Sequence, residues 1–510
     1  MYKTLFCLFL GLGAQGLSQS KHDYVWVTGY GNFTGHFGGT QIDFNQGEPQ
    51  FTHFELPHQF GFNMPCSISD ENGHLQFYTN GCKIVNASHE IIENGEVFCS
   101  GYFQSIECDE PIYGYDAYQN MLILPRPGHR GQYVYFHPCL NEVDKTQVFY
   151  AEIDMNANNG RGKVIEKQQL LRDTALSQGA FAPVRHGNGR DWWIILPREH
   201  HNIFDFYLLT PDSILGPFTR DMDDFASSMY GYTGWNTVVS PDGKLFARVT
   251  LTWLGNLRFN RIFLYDLDRC AGTLSNPRVI TVLDPNAYAS WAAISPNSRY
   301  MYFQMGQTKL YQFDLQAPDI EASRVLVGEY DGFTTPQGFS GQFHAMALAP
   351  NGKIYMCTTS GTYYYHTIHA PDEPGLACDF RQHDLELPTV AQNMMPLYPN
   401  FRLYDVPNAL CDTLGINSPE FEGVNIDTEC TFKLSPNPAN NRVSISTRDP
   451  FTAARLRVFN AAGQKVYEYD LIEGTFSHVF YVDAWAPGVY WVSIEPSCSG
   501  RWTGKLIVGE

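Results

Sequence analysis

Positive charge is scarce in this 510-residue chain: 34 Lys and Arg stand against 53 Asp and Glu, a formal net charge of -19 at pH 7. Such a balance repels phosphate backbones and anionic lipid, so neither nucleic acid nor a membrane surface is an expected partner. Long apolar runs are missing as well. Only Leu5 to Leu12 forms such a block, and it is too short to span a bilayer, so an integral membrane protein is not expected. No cysteines form a Cys-x-x-Cys pair, which argues against zinc ribbons and thioredoxin-like sites. Gly-x-Ser-x-Gly elbows, His-Glu-x-x-His helices, P-loops and the Ser-x-Asp-x-Gly-x-x-Trp boxes of sialidase-like propellers are absent too. No catalytic residue, no metal ligand and no cofactor is therefore nominated.

What is present suits a secreted globule. Met1-Tyr-Lys3, the apolar block and the small residues Gly16, Ser18 and Ser20 read as a signal peptide over residues 1–20. With 44% hydrophobic and 15% aromatic residues there is ample core material, and the length predicts two or more domains. Twelve cysteines, one of them within the leader, leave an odd number in an oxidising compartment. Cys99 with Cys108, Cys357 with Cys378 and Cys430 with Cys498 are the pairs considered, although spacing cannot fix connectivity.

The body of the chain repeats. A small-residue turn between two short apolar strands recurs at Gly73, Gly131, Gly189, Gly243, Ser298 and Gly352, at intervals of 54 to 58 residues. Runs such as Asn236-Thr-Val-Val-Ser240 precede the turn, runs such as Tyr300-Met-Tyr-Phe303 follow it, and third strands such as Ile262-Phe-Leu-Tyr-Asp-Leu267 come next. Four strands per unit of this length predict an all-β fold, a β-propeller, most simply seven-bladed. The seventh blade is expected to close across the termini, with outer strands from residues 24–56 and an inner strand around Asn393-Met-Met-Pro-Leu397. A six-bladed ring with a separate hairpin is the alternative.

The last part of the chain differs. Leu434-Ser-Pro-Asn-Pro-Ala-Asn-Asn441, Val458-Phe-Asn-Ala-Ala-Gly-Gln-Lys-Val466, Ala486-Pro-Gly-Val-Tyr-Trp-Val492 and Lys505-Leu-Ile-Val508 follow one another in order. They resemble the C-terminal sorting domain of proteins exported by the type IX secretion system, with Pro436, Asn437, Pro438, Gly463, Gly488, Tyr490 and Lys505 as motif residues. The resemblance implies a small β-sandwich, the type IX machinery as partner and passage through the periplasm to the cell surface or beyond. Domains are accordingly expected at 21–410 for the propeller, 411–429 for a linker and 430–510 for the sorting domain. Ser69-Asp-Glu-Asn-Gly-His-Leu-Gln-Phe-Tyr-Thr-Asn-Gly81, Leu124-Pro-Arg-Pro-Gly128 and Cys411-Asp-Thr-Leu-Gly415 further resemble secreted propellers related to gliding-motility-associated proteins, a family that brings no assigned activity.

Alignment of the units on their turns places Phe181, Trp235, Trp291 and His344 at the start of successive inner strands, with Tyr230, Tyr232 and Tyr288 in the entry loops. Either these rings surround a mouth that binds glycan or protein, or they wedge the blades together. Calcium is considered at Asp221, Asp223 and Asp224 and set below a solvated acidic loop; Asp154-Met-Asn-Ala-Asn-Asn-Gly160 reads as a hairpin turn, because Ile165 stands where an EF-hand needs its Glu. A non-catalytic binding or adhesion module is the expected function; a propeller hydrolase or lyase acting on polysaccharide or peptide is the alternative.

Overall fold

The structure is a computed structural model that describes residues 20–406, 411 and 432–509, except 31–37, 57–59, 63, 100–104, 106, 109–113, 115–120, 143–144, 174–180, 199–200, 223–231, 255–256, 284–286, 289, 448–453, 461–463, 472–476 and 498–499. Apart from Ser20, the predicted signal peptide lies outside the described residues, as does the predicted linker apart from Cys411. The chain divides into two compact units, Met1–Pro419 and Glu420–Glu510.

The first unit begins with a three-stranded sheet of β1 (Val25–Tyr30), β2 (Gly38–Asp43) and β3 (Gln50–Phe54). Sets of four strands follow in chain order: β4 (Cys66–Ser69), β5 (Leu75–Thr79), β6 (Lys83–Asn86) and β7 (Ile91–Glu96); β8 (Leu122–Pro125), β9 (Gln132–Glu142), β10 (Lys145–Asp154) and β11 (Lys163–Arg172). Next come β12 (Ala182–Arg185), β13 (Trp192–Pro197), β14 (Ile203–Leu209) and β15 (Ile214–Asp221), then β16 (Tyr232–Val239), β17 (Leu245–Leu254), β18 (Leu257–Asp268) and β19 (Thr273–Leu283). The last two sets are β20 (Ala292–Ile294), β21 (Tyr300–Met305), β22 (Lys309–Asp314) and β23 (Val325–Glu329), and β24 (Phe343–Leu348), β25 (Ile354–Thr358), β26 (Thr362–Ile368) and β27 (Phe380–Ala391). Each set is an antiparallel meander; one parallel contact, Lys163 with Glu93, joins β11 to β7 and fuses two sets into one sheet. Sheets of this kind packed face to face form the propeller.

Turn chemistry explains the spacing of the repeat. All six turn residues adopt positive φ, from 60° at Ser298 to 89° at Gly73, a region that Gly enters without a Cβ clash. In the turn after β16, the Ser240 hydroxyl donates to Asp242 and accepts the Leu245 N–H at 2.9 Å, while Gly243 N–H reaches Ser240 O at 2.8 Å. Ser295 repeats the arrangement with Asn297 and Tyr300 in the turn where Ser298 replaces Gly, and the Ser298 hydroxyl accepts the Asp242 N–H at 3.0 Å. The reversals deliver largely buried second strands, fully so in β13, β21 and β25. Side chains from these and neighbouring strands pack between the sheets: Phe204 meets Phe246 edge-on at 5.3 Å, and Trp26 meets Phe44 at 5.0 Å and Tyr355 at 6.1 Å.

Two expectations need correction. Asn393–Leu397 forms no strand, and among the described residues β1 has no partner besides β2, so the first sheet stays three-stranded. Ring closure instead runs through side chains: Arg402 makes a bidentate pair with Asp23 at 2.6 and 2.7 Å, Tyr398 meets Ser67 at 2.7 Å, and Thr389 meets Thr40 at 2.6 Å. The cysteines pair as Cys82–Cys108, Cys99–Cys139 and Cys270–Cys411. Cys357 and Cys378 are both free and buried rather than paired, Cys357 meeting Ala345 O at 3.4 Å and Cys378 the Tyr302 hydroxyl. Cys430 and Cys498 lie outside the described residues.

The second unit holds β28 (Phe432–Ser435), β29 (Arg442–Thr447), β30 (Ala454–Phe459), β31 (Lys465–Leu471), β32 (Ser477–Tyr481), β33 (Gly488–Ser497) and β34 (Gly500–Val508). They form two sheets, β28-β29-β32 and β31-β30-β33-β34, around Val443, Ile445, Leu456, Val458, Val492 and Leu506. The motif residues organise its edge. Asn437 donates to Lys505 O at 2.7 Å and accepts the Ile507 N–H at 2.8 Å, so the Pro436-Asn-Pro438 link is clamped to the final strand. Tyr490 is buried with its hydroxyl on Ala486 O at 2.7 Å, which closes the turn leading into β33 at Gly488. Lys505 is exposed, and Gly463 lies outside the described residues.

Candidate functional site

The rings aligned from the sequence are mostly interior. Phe181 and Trp291 have no solvent-accessible surface and His344 has 6%; Trp291 lies 5.5 Å from His344, whose Nδ1 donates to Asn393 O at 2.5 Å. Rings placed so present no face to a ligand in this conformation. Tyr288 is exposed at 52%. Tyr232 and Trp235 belong to β16, but their side chains lie outside the described residues, as does all of Tyr230. Of the acidic loop only Asp221 is described, and Asp154–Gly160 forms the turn between β10 and β11 with Asn158 and Asn159 left-handed.

Burial also sets the charge state of the histidines. Desolvation pushes His137, His344 and His366 down from 6.5 to about 4, so all three are neutral in the folded protein at neutral pH. With a folded pKa below the unfolded one, the unfolded chain takes up more protons in this window. Their stabilising contribution is therefore complete above about pH 6.5 and is lost as pH falls toward 4, on the order of 1–3 kcal/mol for each ring. Melting temperature is expected to drop steadily across that interval, with His344→Gln showing a shallower drop. A melting temperature constant from pH 7 to 4.5 would contradict this.

Two cavities deserve chemical reading. One, of about 270 Å³, lies between the ends of β12, β16, β20 and β24 and the segment Pro396–Leu403. That segment is held by Asn400 on Pro241 O at 2.8 Å, by Arg185 on Phe401 O at 3.1 Å and by the Arg402–Asp23 pair, which neutralises the cavity's one carboxylate. Beyond it the chain continues through Val406, whose N–H meets Gly187 O at 2.8 Å, to the Cys270–Cys411 disulfide.

The second is an open groove of about 590 Å³ where the last four-stranded sheet meets the first. Phe51, Tyr363, Tyr364, Glu386 and Gln337 are among its walls, with Pro336 and Pro388. A wide bulge creates it: Thr362 pairs with Ala391 and Tyr364 with Glu386, so Tyr363 alone on β26 stands against Leu387 to Val390 on β27. Pro388, lacking an N–H, cannot continue the ladder there. The irregular pairing lets the adjacent Tyr363 and Tyr364, which a regular strand would point to opposite faces, share one wall. Thr389, bonded to Thr40, ties the bulge to β2.

The loop between β23 and β24 supplies the other wall and is held in place. Phe333 stacks on His383 at 4.4 Å and meets Tyr364 edge-on at 5.5 Å, while His383 reaches Asp331 at 2.9 Å. Thr335 N–H reaches Phe339 O at 2.9 Å and Gly338, at φ 86°, closes the turn on Thr335 O. Phe51, Tyr363 and Tyr364 are half-buried, and Glu386, Gln337 and Pro388 are exposed. Phe51, Tyr363 and Tyr364 were read from the sequence only as strand residues, and Gln337, Glu386 and Pro388 were not singled out. Three consecutive tyrosines before His366, with Pro388 inside a strand, were the available signal.

The cluster Cys99, His137 and Cys139 has the composition of a soft-metal site, but the two sulfurs are joined in a disulfide of 2.04 Å and are not thiolate ligands. Among the described residues no helix is long and apolar enough to cross a membrane.

Solved structures similar to the chain include Sqt1 from Chaetomium thermophilum (12% identity, TM-score 0.36, covering 69% of this chain and 82% of that one). An oligogalacturonate lyase in complex with manganese is 10% identical, with a TM-score of 0.33 over 63% of this chain and 79% of that one. The β-propeller domain of Nup133 from Vanderwaltozyma polyspora is 9% identical, with a TM-score of 0.29 over 46% and 78%. At these scores none of them bears on function. No curated protein matches the chain. Residues 433–509 match the family described as the secretion system C-terminal sorting domain, so the second unit is a type IX sorting domain and the chain is exported to the cell surface or the extracellular space.

Proposed function

We propose that the propeller is a non-catalytic binding module for glycans, displayed or released through the type IX route. The observation that carries this reading is the groove, where half-exposed aromatic rings stand beside hydrogen-bonding side chains on a pre-formed wall. Flat rings bury sugar faces at small entropic cost, and a fixed loop reduces the ordering needed on binding. Glycoside hydrolysis uses two carboxylates across the scissile bond. Among the described residues the groove is lined by one, Glu386, and the inner cavity by one, Asp23, already paired. The kinship with gliding-motility-associated propellers belongs to this same proposal and fits a surface role.

Incubation of the purified protein on a polysaccharide and peptide array tests it. Retention on one class of oligosaccharide is expected, without release of reducing ends or unsaturated products. Product release would favour the hydrolase or lyase alternative, and retention on peptides alone would move the ligand class to protein.

A further inference from the structure

We infer that the groove selects amine-bearing sugars, oligomers of hexosamine with free ammonium groups, over neutral or acidic ones. This inference rests on the glycan-binding reading of the groove. It comes from how charge and rings are placed. The ladder sets Glu386 directly opposite Tyr364, so the carboxylate stands beside an aromatic wall that also contains Tyr363 and Phe51. Among the described residues no Lys, Arg or His lines the groove, and Glu386 is exposed with no cationic partner among those lining it. Aromatic faces and a carboxylate in one depression attract an ammonium group by two mechanisms at once, through the ring quadrupole and through charge. An acidic sugar has nothing to pair with there and meets a chain of net charge -19. Neutral sugars keep the ring contacts and lose the ionic one.

The His383–Asp331 pair behind the wall does not supply the missing cation, because His383 is engaged by Asp331 at 2.9 Å and stacked beneath Phe333. Glu386 is thus the charged group at the groove surface. A lysine side chain offers the same ammonium chemistry, but it lacks a sugar ring to spread across Tyr363 and Tyr364.

Titration calorimetry on the full-length protein at pH 6 tests the inference with four probes: a glucosamine hexamer, an N-acetylglucosamine hexamer, a galacturonate hexamer and a lysine hexapeptide. The glucosamine hexamer is expected to bind about tenfold or more tighter than its acetylated counterpart, the scale of one partly screened ionic contact. Glu386→Gln should erase that difference, by weakening the glucosamine hexamer far more than the acetylated one. Equal affinities in the unmodified protein, or a preference that survives Glu386→Gln, overturns the inference while leaving the groove reading intact. Binding of the lysine peptide as tightly as the glucosamine hexamer overturns the assignment to sugars. Loss of Tyr364, as Tyr364→Ala, should weaken both hexosamine oligomers with the protein still folded by thermal melt. If it weakens neither, the groove reading itself fails.

Discussion

Removal of residues 20–56 is expected to abolish cooperative folding of the propeller. Those residues place Trp26, Ile42 and Phe44 in the main core and Val25, Val27 and Phe54 in a second cluster with Phe60, Phe62 and Tyr78. Emptying even one large aromatic site costs ~3–5 kcal/mol, and a whole domain has ~5–15 kcal/mol to lose. The deletion also removes Asp23, leaving Arg402 without its bidentate partner, and takes Thr40 from Thr389. Ring closure here depends on side-chain pairs and packed rings, since no strand from the C-terminal part of the propeller pairs with β1 among the described residues. A chain lacking residues 20–56 should aggregate or melt without a sharp transition. If it stays soluble and melts as sharply as the full-length protein, the first sheet is an appendage to a ring closed by the remaining strands.

The parts of this architecture that were legible in the sequence have a local cause. A turn that needs positive φ selects Gly, or a Ser braced by its neighbours, wherever it occurs, so Gly243 and Ser298 could be recognised as equivalent positions. Second strands such as Trp192–Pro197 are buried on both faces and read as uninterrupted apolar runs. Outer strands were harder to read. β15 is mostly exposed, so Ile214–Asp221 lacks an alternating pattern to betray it, whereas the apolar Val325-Leu-Val327 of β23 was legible. Asn393–Leu397 misled for the opposite reason: Met394 and Met395 are core residues, and burial alone does not distinguish a paired strand from an extended segment wedged into a core.

The site was less legible than the fold. A large ring at the start of an inner strand satisfies both a ligand mouth and a blade wedge, and only neighbouring blades decide between them; Phe181 and Trp291 are enclosed by theirs. The groove draws on Phe51, the Thr335–Gln337 turn, Tyr363 with Tyr364, and Glu386 to Pro388, segments separated by up to hundreds of residues. Its shape depends on a pairing irregularity between two strands, and no single-strand pattern encodes that. Cysteine pairing failed similarly, because Cys99 has Cys108 as its near neighbour in sequence and Cys139 as its neighbour in space.

The central claim is that binding resides in the groove while the aligned rings hold the blades together. It is tested most directly by measuring ligand affinity and melting temperature together for Tyr364→Ala and Trp291→Ala, using an oligosaccharide retained on the array. Trp291 is fully buried, so its loss should cost ~3–5 kcal/mol of stability, a large fall in melting temperature, and leave the affinity of the folded fraction unchanged. Tyr364 is half-buried, so its loss should weaken binding by ~1–3 kcal/mol with a much smaller change in melting temperature. The reverse outcome, with affinity lost in Trp291→Ala at unchanged stability and retained in Tyr364→Ala, would contradict the account and return the ligand to the ring of aligned aromatics.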